Sequence, residues 1–268
     1  MVKRLLTFVF CTLLAATAIV PAGASAEVAN VPVFIDGKKI AFEVEPQLIN
    51  GYTMVPLRQI FKTLGASITW DGPNMTVIAK KKDILITYTI GSYTADRNGE
   101  KIKLEEPGQI VDGSTMIPAR FVSEALGATV GWEGVSRTVH ISSKPMTEVE
   151  VLGFDGEAFD IRQGSKLDKL KFAAISVPFP GGQNDLLLKQ ILADLQENRV
   201  YVEVDTKERD AAGHLLGYVY MKDGSSYNAK LLVDGDAQMD SDSPNVRWFD
   251  LFKRLQTDAK NAARGMWQ

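Results

Sequence analysis

The chain repeats itself without a gap. Gly51-Tyr-Thr-Met-Val-Pro-Leu-Arg58 returns as Gly113-Ser-Thr-Met-Ile-Pro-Ala-Arg120, with Thr53 falling on Thr115, an offset of 62 residues. The same offset carries Gly65-Ala66 onto Gly127-Ala128, Trp70 onto Trp132, Thr76-Val77 onto Thr138-Val139 and Asp36-Gly37 onto Asn98-Gly99. A shared period of this size marks two copies of one supersecondary unit. Neither copy buries much apolar surface alone, so the two are expected to pack together. Such a scaffold points to binding or architecture before catalysis.

Local chemistry then places the elements of each copy. Val33 to Phe42 reads as a hairpin about Asp36-Gly37, a favoured two-residue turn. Thr53 to Leu57 is a short extended run. Pro56 opens a helix over Leu57–Leu64 with Leu57, Ile60, Phe61 and Leu64 on one face, and Gly65 ends it. Ser67 to Trp70 and Met75 to Ala79 read as strands across Asp71-Gly72, and Ile84 to Ile90 as another. Copy two repeats the helical face as Phe121, Val122, Ala125 and Leu126, followed by strands at Thr129 to Trp132 and Arg137 to Ser142. Arg58 and Arg120 each stand just inside a helix start. They are expected to close their own units on carbonyls or on a carboxylate such as Asp71 or Glu133.

The first 26 residues read as a secretory signal peptide. Lys3 and Arg4 precede an apolar run from Leu5 to Val20, and Ala24-Ser25-Ala26 supplies a small-residue cleavage site before Glu27. The run is shorter than the roughly 20 residues of a spanning helix, so no stable membrane insertion is expected. Cys11, the one cysteine, lies inside it, and the mature chain would carry no disulfide and no thiolate ligand. Residues 27–146 hold 13 basic and 13 acidic side chains, and residues 147–268 hold 15 and 20. That balance disfavours a nucleic-acid partner, which a basic surface would attract.

Lys144-Pro145 marks a boundary, after which the pattern changes. Val149 to Leu152, Ala158 to Ile161, Leu170 to Ile175, Val200 to Val204 and Leu215 to Tyr220 read as strands. Leu187, Leu188, Ile191, Leu192 and Leu195 make one face of a helix after Asn184. A last helix is expected from Ser243-Pro244, burying Trp248, Leu251, Phe252, Leu255, Ala259 and Ala262. Five strands with interleaved helices suggest a small closed barrel of OB type. The acidic group Asp234, Asp236, Asp240 and Asp242 lacks the spacing of a calcium loop and reads as solvated.

Two resemblances follow from these residues. The Asn-Gly and Asp-Gly turns, the "TMVPLR" and "TMIPAR" runs, the "LGA" stops and Trp70 and Trp132 resemble the copper amine oxidase N-terminal-like, or stalk, domain over roughly residues 31–143. No copper is expected here: a copper site wants imidazole or sulfur, and the chain has two histidines, His140 and His214. "AAGHLLGYVY", "DGSSYNAKLLVDGDA" and "AARGMW" look like the staphylococcal nuclease-like family over about Val149 to Trp267. That family cleaves phosphodiesters with calcium, two arginines and a glutamate that activates water.

Carried over position by position, the resemblance puts Glu157 where a calcium carboxylate belongs and Lys171 where one arginine belongs. Ser176 and Phe179 stand for an aspartate and the glutamate base, and His214 for the second arginine. These five are vestigial nuclease positions on this reading. An aromatic ring cannot accept a proton from water, and a lysine lacks the bidentate fork of arginine. The expected fold class is α+β, mostly β: a duplicated sheet-plus-helix unit in residues 27–143, with repeats near 31–92 and 93–143, then an OB-type barrel with helices in 144–268. The expected role is non-catalytic binding or scaffolding at the cell envelope, with a protein or wall polymer as partner and no cofactor. A calcium-dependent nuclease, or nucleotide binding in the old pocket, is the alternative.

Overall fold

The computed structural model describes residues 31–134, 136–179 and 185–268. The expected signal segment lies outside them. The fold is mostly β, with a duplicated front half, a closed barrel behind it and five helices among the described residues.

Copy one runs β1 (Val33–Ile35), β2 (Lys38–Lys39), β3 (Gln47–Ile49), β4 (Tyr52–Pro56), α1 (Leu57–Thr63), β5 (Ser67–Asp71) and β6 (Thr76–Lys81). After β7 (Ile84–Thr89), copy two runs β8 (Thr94–Arg97), β9 (Glu100–Lys103), β10 (Gln109–Val111), β11 (Ser114–Pro118), α2 (Ala119–Leu126), β12 (Thr129–Glu133) and β13 (Thr138–Ser142). At the sequence offset β3, β4 and β5 fall on β10, β11 and β12 with no slip. Four hairpins turn at Asp36-Gly37, Asn50-Gly51, Asn98-Gly99 and Asp112-Gly113, with φ of 47–54° and then 77–88°. Two successive positive values define the turn whose twist matches paired strands, and only Asn, Asp and Gly take them readily.

The copies meet along β4 and β11, which pair antiparallel with Val55 opposite Ile117. Those two residues are themselves repeat mates, so a pseudo-twofold axis passes between them. The first hairpins are exchanged across this axis. Copy one's β1–β2 joins copy two's sheet in the order β12-β13-β1-β2, while copy two's β8–β9 joins copy one's sheet as β5-β6-β7-β8-β9. The extra strand is β7; its repeat mate is the start of β14, which leaves the sheet. Helices α1 and α2 seal the shared core, with Ile60, Phe61, Phe121 and Val122 buried and the two phenyl rings 6.4 Å apart.

The back half comprises β14 (Thr147–Phe154), β15 (Phe159–Gln163), β16 (Lys166–Phe172), β17 (Ile175–Ser176), α3 (Leu186–Gln196), β18 (Val200–Arg209), β19 (Leu215–Tyr220), α4 (Tyr227–Asp234), β20 (Gln238–Met239) and α5 (Phe249–Asn261). The barrel closes in the order β14-β15-β16-β19-β18, five strands as an OB fold requires. Three expectations need correction. The run Leu170 to Ile175 is not one strand, because Ala174 takes φ 62° and the chain breaks away to pair β17 with β20. The last helix starts at Phe249 instead of Ser243-Pro244. Asn245 exchanges hydrogen bonds with the Lys207 backbone, and Arg247 pairs with Glu203 and Asp205, so the segment is held along β18. Ala262 is exposed, because α5 has ended by then.

The two halves share a buried face. β1 is buried on both sides: Val33 and Ile35 enter the front core, and Phe34 enters the barrel core. β13 does the same with Val139 and Ile141 against His140, whose ring lies 5.9 Å from Tyr220 and 6.1 Å from Trp248. Ser143 at the expected boundary is tied to Asp36 through its amide, 2.8 Å, and its hydroxyl, 2.7 Å.

Candidate functional site

The turn between β14 and β15 and the turn between β18 and β19 bring a polar cluster together. In the first turn Asp155 Oδ1 accepts from the amides of Glu157 and Ala158, both at 2.9 Å, and Gly156 takes φ 107°. That geometry presents Glu157 outward. Lys171, near the end of β16, reaches Glu157 Oε1 at 2.7 Å and Asp210 Oδ2 at 3.1 Å. In the second turn Asp210 Oδ1 accepts from the amides of Ala212, 3.0 Å, and His214, 2.9 Å. Its Oδ2 lies 3.0 Å from His214 Nδ1. A carboxylate can only accept, so Nδ1 carries the hydrogen.

The surroundings favour the charged forms of Asp210, Lys171 and Asp155. Burial opposes ionisation of Asp210, but the amide and ring of His214 and the Lys171 ammonium outweigh it and hold the carboxyl well below the usual range. Burial likewise opposes the charge on Lys171, and Glu157 and Asp210 more than offset it, so its pKa rises. Asp155 is held low by Lys169 and then by its two amide donors. Arg209, beside Asp210, turns away into a two-bonded fork on Asp168, 2.9 and 2.6 Å.

Glu157, Asp210 and His214 place ligand atoms within 4.8 Å of one another. They are the group among the described residues that could converge on a cation. The donors do not fit calcium, which takes six to eight oxygens. Two carboxylates and an imidazole offer fewer, and the Lys171 ammonium already bridges the two carboxylates.

Three of the five residues singled out in the sequence therefore meet: Glu157, Lys171 and His214. Ser176 stands apart on β17, opposite Gln238 of β20. Phe179 packs edge-on against Phe154, with ring centroids 5.3 Å apart, at the margin of the barrel core. The residue that sequence reasoning passed over is Asp210, the hub of the cluster. Its signal was Asp-Ala-Ala-Gly-His, a carboxylate ahead of a glycine with φ 90°, which folds the side chain onto its own turn. Asp185, the other aspartate that follows a polar run here, caps α3 by accepting from Leu187 N at 2.8 Å and stays out of the cluster's hydrogen bonds given above. Arg120 bonds Glu105 at 2.8 Å, not Glu133, whose carboxylate accepts from Ser136 N.

Two family models match the chain. Residues 34–141 match the copper amine oxidase N-terminal domain, and residues 189–268 match the staphylococcal nuclease homologue family. The second match begins within α3, so His214 lies inside it while Glu157, Lys171, Ser176 and Phe179 lie before it. No curated protein matches the chain.

Proposed function

From a chain that joins a copper amine oxidase N-terminal domain to a staphylococcal nuclease-like domain, we propose a secreted, non-catalytic binding or scaffolding protein of the cell envelope, with a protein or wall polymer as its partner. One observation carries the reading: Lys171 is held between Glu157 and Asp210, so the ammonium of the polar cluster is already paired with two carboxylates. A phosphate would have to displace a carboxylate to reach that ammonium, and Arg209 is already committed to Asp168. Phe179 offers a ring where the resemblance calls for a base, and carbon accepts no proton from water. Ser176 offers a hydroxyl where a carboxylate would hold a hard cation.

Export rests on Lys3, Arg4, the apolar run and the Ala24-Ser25-Ala26 site. Among the described residues no helix is long and apolar enough to cross a membrane. The role is tested by incubating residues 27–268 with purified wall and membrane fractions, and in parallel with DNA. Retention on an envelope fraction without retention on DNA is expected. DNA or nucleotide binding that Lys171→Ala removes would overturn it in favour of a binding pocket for nucleotides.

A further inference from the structure

The pseudo-twofold axis creates two grooves from matching residues. One, of about 710 Å³, is lined by Glu43, Arg58 and Trp70, with Ile110 from the other copy. The second, of about 540 Å³, is lined by their repeat mates Glu105, Arg120 and Trp132, with Leu48 from the other copy. Trp70 and Trp132 are each 40% exposed, so both grooves carry an indole face open to a ligand. The fold has thus built one recessed site twice.

The copy-two groove is already engaged by this chain. Asp223 and Ser225, on the turn between β19 and α4, form one of its walls beside Arg120. Gly224 at the tip presents its carbonyl to His140 Nε2 at 3.0 Å. A Cβ on Gly224 would overlap the Val130 carbonyl, so the turn comes as near to β12 as a backbone can. Burial works against the charge of Asp223; hydrogen bonds from Ser225, aided by the Arg120 charge, keep the carboxyl below its ordinary range. This groove receives an acidic glycine turn.

Among the described residues no such turn lines the copy-one groove, and its charge is arranged to take one. The Arg58 side chain makes no hydrogen bond or ion pair among the described residues, whereas the Arg120 guanidinium bonds Glu105. Lys62 lines the open groove, and its repeat mate is Glu124, so the open groove is the more basic of the two. We propose that the groove between Arg58, Lys62 and Trp70 is a docking site for an acidic turn of a partner protein, of the Asp-Gly-Ser kind seated in the twin groove. A carboxylate would pair with the Arg58 guanidinium while the turn's flank lies on the indole of Trp70. The proposal names a partner chemistry for the binding role given above and rests on that role. It involves no residue of the barrel cluster, so its failure leaves the reading of that cluster intact.

The test uses residues 27–268 and a fluorescent cyclic peptide carrying residues 221–227, followed by polarisation at low salt. Saturable binding is expected, weakened at least tenfold by Arg58→Gln in the protein or by Asp223→Asn in the peptide. Lys253→Gln, on the exposed side of α5, should leave it within twofold. Near-UV circular dichroism of each variant checks that the fold is kept. No saturable binding, or binding that Arg58→Gln leaves unchanged, would overturn the proposal. So would wall-glycan fragments that quench Trp70 and are not displaced by the peptide, which would make the groove a glycan site.

Discussion

Copies one and two begin from the same frame and end with opposite uses of one sheet face. On β6 the outward residues Ile78 and Lys80 are exposed. Their mates on β13, His140 and Ser142, are buried against the barrel. On β5 Thr69 faces solvent, while its mate Gly131 lies where any Cβ would overlap the His140 ring and the Gly224 carbonyl. Few positions convert an open face into a docking face: a side chain removed, a histidine placed to bond a carbonyl, and a third strand redirected. That strand is the clearest case. Copy one keeps β7 in its sheet, whereas the corresponding stretch of copy two departs as β14 and opens the barrel. Duplication supplied a stable frame, and divergence on one side gave it something to hold.

If this contrast is right, the same change should have unequal effects on the two sides. The largest difference is expected at Gly131. Gly131→Val should destabilise the chain by about 3 kcal/mol or split one unfolding transition into two, since the side chain must force the halves apart. Thr69→Val should stay within about 0.5 kcal/mol. Urea unfolding followed by tryptophan fluorescence measures both. Equal effects would break the comparison.

Next comes His140. His140→Ala removes a buried ring and leaves the Gly224 carbonyl unmatched, so a loss of about 2 to 3 kcal/mol is expected. Ile78→Ala, on the open face, should cost well under half of that in the same assay.

A pH dependence follows from the same residue. Burial lowers the His140 pKa below 6.5, against the opposing pull of the Gly224 carbonyl and of Glu133 and Asp223. The unfolded chain therefore binds a proton below about 6.5 that the folded chain refuses. Stability is full above that value and falls as pH drops towards the folded-state pKa, by up to about 1.4 kcal/mol per pH unit. The loss should be largely absent in His140→Ile. Denaturation curves between pH 7 and pH 5 test this. An unchanged slope in the variant would assign the dependence to other groups.

The smallest difference is between the arginines. Arg120→Ala breaks an exposed ion pair with Glu105 and should cost about 0.5 kcal/mol, while Arg58→Ala should be neutral in thermal unfolding.

Much of the front half was legible because its determinants are local. The Asn-Gly and Asp-Gly pairs, the apolar spacing of Leu57, Ile60 and Phe61, and the stop at Gly65 each act within a few residues. The hairpin exchange was not legible. The parallel pairing of β1 with β13 joins Val33 to Val139, and no local pattern encodes a partner so distant in sequence. In the back half α4 escaped notice because Tyr227–Asp234 is buried nearly all round, which erases the polar side that marks a helix in sequence. The cluster was half legible. Glu157, Lys171 and His214 stood out by resemblance, but Asp210 joins them only through the fold of its turn and the approach of β16.

The reading of that cluster meets its most direct test in hydrolysis. Residues 27–268 are incubated with DNA or RNA and millimolar calcium, and acid-soluble nucleotide is followed against a buffer blank. With Lys171 bridging Glu157 and Asp210, and a phenyl ring at position 179, release should not exceed the blank. Calcium-dependent release that Glu157→Ala abolishes would contradict the account and make the chain a nuclease.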